Sequence, residues 1–118
     1  MKNEIITRMK NLGLEVIRLV ESLPKTQTAG ILTKQIVRSA TSVGANYRAA
    51  CRARSRADFI AKVAIAEEEC DETQYWLELL YESKFIADDQ FQFLHAEADE
   101  LTAILAASGK TAKRNLRR

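Results

Sequence analysis

The chain has 118 residues, 47% hydrophobic and 29% charged, with one proline, four glycines, two cysteines and a single histidine. At this length one domain with one core is expected, and the composition excludes collagen-like, low-complexity and disulfide-scaffold classes. No apolar run approaches the roughly 18 residues of a membrane span, and Met1-Lys2-Asn3-Glu4 lacks the apolar stretch of a signal peptide, so a cytoplasmic protein without a membrane partner is expected.

In the first segment Ile5, Met9, Leu12, Val16, Leu19 and Val20 recur at steps of three and four, which predicts a helix over about 4–22. Asn3 is its expected cap, and Leu23-Pro24 ends it, because the residue before a proline is pushed out of helical space. A second helix is predicted over about 28–52, capped by Thr28 or Thr26, with Ile31, Leu32, Ile36, Val37, Ala40, Val43, Tyr47 and Cys51 on its stripe. Small residues dominate between Ser39 and Ala50, so Gly44 marks a close approach or a local break.

Ser55, followed at its third position by Asp58, predicts the cap of a long third helix over about 56–83. Asp88 is the expected cap of the fourth, over about 89–108, with Gly109 as its terminal glycine and residues 110–118 as a flexible basic tail. Four amphipathic helices joined by short links predict an all-α antiparallel up-down-up-down four-helix bundle over 1–109.

The net charge of +2 conceals a segregation of signs. Residues 34–62 hold seven Lys/Arg against Asp58 alone, residues 63–109 hold twelve acids against Lys84, and the last nine residues hold five cations. Either neighbouring elements neutralise one another or a basic surface faces an anionic partner.

Catalytic chemistry finds little support. A di-iron carboxylate site needs two Glu-x-x-His pairs, and the lone His95 is preceded at the third position by Gln92. His95 and Asp99 form an i,i+4 pair that reads as a surface hydrogen bond before it reads as a metal site. Cys51 and Cys70 fall about 20 Å apart along the helix axes, too far for a disulfide. Glu67 lies on the apolar stripe and is expected to pair with an arginine of the second helix. No enzyme and no cofactor are expected. The stronger signal is nucleic-acid binding, with Arg38, Arg48, Arg52, Arg54, Arg56, Lys110, Lys113, Arg114, Arg117 and Arg118 as phosphate-neutralising groups. No base-reading motif accompanies them, so contact with an RNA or DNA backbone is expected. The alternative is that these charges serve solubility and helix-helix ion pairs.

The stretch from Gln35 to Leu80 resembles the signature of the four-helix bundle family of proteins encoded by intervening sequences of bacterial 23S rRNA genes, which extends to the accessory variability proteins of diversity-generating retroelements. The residues that carry the resemblance are Arg38, Ser42, Asn46, Arg54, Ser55, Phe59, Ala66, Glu69, Glu72 and Leu77. It departs from the family pattern at Gly44, where proline is commoner, and over Tyr47-Arg48-Ala49-Ala50. The resemblance implies a homopentameric ring with a basic surface and, for the retroelement members, nucleic acid and a reverse transcriptase as partners. A protein-interaction scaffold or accessory subunit is the competing expectation.

Overall fold

The computed structural model describes residues 2–116. Four helices follow one another: α1 (Lys2–Glu21), α2 (Gln27–Cys51), α3 (Arg56–Glu82) and α4 (Asp88–Leu116), with no strand among the described residues. Each packs against its successor, and α4 returns to touch α1 lightly. The result is a four-helix bundle with extents of 51 × 21 × 21 Å.

The buried positions explain this shape. Met9, Leu12, Val16, Leu19 and Leu23 in the first segment step by three and four, as do Val63, Ala66, Cys70, Thr73, Leu77 and Leu80 in α3. That alternation keeps one seam turned toward the neighbours along nearly the whole helix, which is the pattern of side chains meshing at shallow crossing angles.

Two expected caps hold. Thr26 accepts the amide of Ala29 at 3.2 Å, and Ser55 accepts that of Asp58 at 3.0 Å. Two do not. Asn3 lies inside α1, which already begins at Lys2. Asp88 is the first residue of α4, not the residue before it; the Ala87 amide donates to the side chain of Gln90 at 3.1 Å, and Asp88 instead accepts the Tyr81 hydroxyl at 2.6 Å. Between α3 and α4 the Phe85 amide reaches back to the Leu80 carbonyl and the Lys84 amide to that of Tyr81. This six-to-one, five-to-two pair requires a left-handed residue, and Lys84 takes it with φ 65°.

The largest departure from expectation is at the C-terminus. Gly109 does not end α4; the helix runs through it to Leu116, and Ala112 is buried. A Cβ at Gly109 would meet Val63 at 3.6 Å, so these turns are packed on the start of α3. Residues 110–116 are therefore helical, and Arg117 and Arg118 lie outside the described residues.

Close approach is the reason for Gly44. A Cβ there would stand 3.5 Å from the backbone of Met9 and Lys10, and one at Gly13 would stand 3.6 Å from the Ala40 carbonyl. These are ordinary contacts that an alanine would satisfy and a longer side chain would not. No helix among the described residues is long and apolar enough to cross a membrane.

Candidate nucleic-acid interface

The antiparallel course brings the last turn of α2, the α2–α3 link, the first turn of α3 and the last turns of α4 to one end of the molecule. Three contacts fix that register: Gly44 against Met9, Val63 against Gly109, and Arg8 against Glu97. Arg48, Arg52, Arg54 and Arg56 thus come together with Lys110, Lys113 and Arg114, although more than fifty residues separate the two groups in the chain. All seven side chains belong to exposed residues, and among the described residues none forms an ion pair. The one acid of residues 34–62, Asp58, is held by Lys62 at 2.9 Å.

Arg38 stands apart from this group. It sits midway along α2, where its guanidinium bonds Glu69 of α3 at 2.8 Å and also reaches Glu72. The expected arginine–glutamate contact between α2 and α3 therefore exists, with Glu69 and Glu72 as its acids. Glu67 is half-buried and has no part in it. The reason is geometric: α3 buries an arc against two neighbours, and its α2-facing edge runs through Glu69, Glu72 and Thr73, about 120–160° around the helix axis from Glu67.

Arg8 is likewise committed. It grips both carboxylate oxygens of Glu97, at 2.7 and 3.0 Å, and reaches Glu100 at 3.2 Å. The hydrogen bond to Glu97, followed by that to Glu100, raises the guanidinium pKa still further above its ordinary value. This fork ties α1 to α4 at the seam where the two helices touch least.

Polar groups inside the bundle are satisfied locally. Ser39 and Thr73, both fully buried, share a hydrogen bond of 2.9 Å across α2 and α3. Gln74 contacts Asp99 and Thr102 of α4, each at 3.3 Å. His95 faces Glu78 at 2.9 Å, not Asp99, and no group of three metal-ligating side chains occurs among the described residues.

Both cysteines are free. Burial pushes the Cys70 thiol up to about 11, and its sulfur donates to the Ala98 carbonyl at 3.2 Å, so it packs as a small neutral core group.

Two depressions among the described residues adjoin basic side chains. One, of about 340 Å³, follows the α1–α2 groove past Gly13 and Gly44 and ends at Arg48. The other, of about 780 Å³, lies at the basic end between the α2–α3 link and α4. One wall of the larger is Ser108, Thr111, Ala112 and Asn115. Composition places residues 109–116 beyond the helix; the signal that locates them is the seven-residue step from Leu105 to Ala112, carried by a residue too small to stand out as apolar.

A crystal structure of a protein of unknown function from the S23 ribosomal protein family of Bacteroides thetaiotaomicron VPI-5482 superimposes with a TM-score of 0.84 at 37% identity, covering 90% of this chain and 98% of that one. No curated protein matches the chain. The family model for the 23S rRNA-intervening sequence protein matches residues 1–107, nearly the whole bundle and all of the stretch from Arg38 to Leu77. The chain belongs to the 23S rRNA-intervening sequence protein family.

Proposed function

We propose that this protein is a non-enzymatic, oligomeric bundle of the cytoplasm that binds RNA or DNA backbones through its basic end. The supporting observation is the convergence of seven exposed cations from three helices and the α2–α3 link, none of them ion-paired among the described residues. Such a surface neutralises phosphates and releases their counterions whatever the sequence. Arg38 is outside this set because Glu69 and Glu72 already hold it. Arg117 and Arg118 extend the same run of charge in the sequence.

The ring implied by the family resemblance, a homopentamer, is part of the same proposal. The acidic half of the chain and the basic end are the two unlike surfaces that a head-to-tail contact between copies requires. A second reading, a protein-interaction scaffold such as an accessory subunit of a reverse transcriptase, draws on Phe93 and Tyr75, which are 65% and 53% exposed on the acid-rich helices.

Titration of a structured RNA at two salt concentrations tests the first reading: binding that weakens steeply with salt is expected, and no binding at low salt refutes it. Reversing Arg52 and Arg54 to glutamate separates the two readings. Loss of RNA binding with an unchanged mass by light scattering supports the nucleic-acid role, and loss of the oligomer supports assembly.

A further inference from the structure

The basic end is not a plain convex patch. Arg8 opposes Glu97 and Glu100, and α1 begins only six residues before Arg8, so α1 flanks α4 to about residue 104 at equal helical rise. Beyond that level α4 continues to Leu116 with α3 on one side only. The overhang leaves a trough of about 780 Å³ that includes no α1 residue.

Its chemistry is mixed in a particular way. Phe59, Ile104 and Ala107 supply an apolar floor that continues into Ala112 of the wall, Arg54 and Arg56 also line it, and among the described residues no acidic one does. Ser108 and Thr111 place hydroxyls along the α4 wall, and Asn115 places an amide at its end. The family model stops at residue 107, so this wall lies past the matched region.

Resting on the reading of the basic end as a nucleic-acid surface, we infer that this trough receives an unstacked base of a single-stranded nucleic acid whose phosphates lie on Arg54 and Arg56. A duplex backbone needs only a charged surface, because its bases are closed off. A single strand presents flat apolar faces with polar edges, and those faces stack on aromatic and small side chains while arginines hold the backbone. The trough offers both kinds of surface within one cavity. An amphipathic helix fits it less well: such a ligand inserts large side chains at i, i+4 and i+7 into a row of pockets, and Ala107 and Ala112 on the α4 side leave no such row.

The experiment is fluorescence anisotropy with a labelled 12-nucleotide RNA strand and a blunt 12-base-pair RNA duplex at one salt concentration, on the wild type and on Ala107→Leu. Ala107 is exposed and helical, so leucine fills the trough without entering the core. The wild type is expected to bind the strand about 10-fold more tightly than the duplex, the scale of one stacked base. Ala107→Leu is expected to remove that preference and leave duplex binding unchanged. Phe59→Leu, with its fold checked by circular dichroism, is expected to reduce the preference in the same direction. Equal wild-type affinity for strand and duplex, or a preference that survives Ala107→Leu, overturns the base-binding role and leaves the basic-end reading intact. Binding of neither RNA removes both. Competition of an acidic helical peptide with the strand, lost in Ala107→Leu while strand preference persists, reassigns the trough to a protein partner and overturns the proposal.

Discussion

The arginines at the waist of this molecule and those at its end are the same residue type, and Arg38 and Arg48 even share α2, yet they do different work. Arg8 and Arg38 each face a neighbouring helix that carries two glutamates at matching height, and their charge is spent inside the protein. Arg48, Arg52, Arg54 and Arg56 sit where α2 ends and α3 begins, and what approaches them is the equally basic end of α4. Whether a cation is available to a ligand is therefore decided by the register of the facing helix and not by its own sequence neighbourhood.

This contrast can be broken in order of effect. Replacing Arg52, Arg56, Lys113 and Arg114 by glutamine should weaken single-strand RNA binding about 100-fold or more at 0.1 M salt. The log–log salt slope should shrink by about 3, from about 0.7 per phosphate contact, with the melting temperature nearly unchanged. Arg8→Met should do the reverse. Losing a bidentate, part-buried pair is expected to cost about 1–2 kcal/mol in urea unfolding while RNA affinity stays put.

Lys84→Gly, in the α3–α4 link, should add about 1 kcal/mol by relieving the left-handed backbone, again with no change in binding. The uncharged Ser39–Thr73 hydrogen bond between α2 and α3 offers a control for pairing without charge. Ser39→Ala and Thr73→Val should each cost about 1 kcal/mol, and the double variant should cost less than their sum, as a double-mutant cycle will show. The smallest effect is the sharpest test of the comparison: Glu69→Gln with Glu72→Gln frees Arg38, and the salt slope should rise by up to about 0.7.

The sequence made the helices legible because three-and-four spacing is strong in all of them, and because Thr26 and Ser55 are caps whose mechanism is local. The end of α4 was not legible. Gly109 followed by KTAKRNLRR has the composition of a stop and a tail, and what keeps the helix going is tertiary: Ala112 buried and Gly109 set against Val63. The choice of Glu69 and Glu72 over Glu67 was hidden for a similar reason, since a helix with two neighbours has two edges and one stripe does not say which edge meets an arginine. Composition picks out the basic residues, but their division into committed and available members depends on contacts between residues 31 to 92 positions apart.

The fork from Arg8 to Glu97 spans 89 residues, while the packing of α1 on α2, α2 on α3 and α3 on α4 joins helices that are consecutive along the chain. Closing a long loop has an entropic cost that local hairpins do not share. The seam between α1 and α4 is therefore expected to form last and open first. Arg8→Met should accordingly speed unfolding while leaving the refolding rate almost untouched, and slowed refolding would show that the fork forms early.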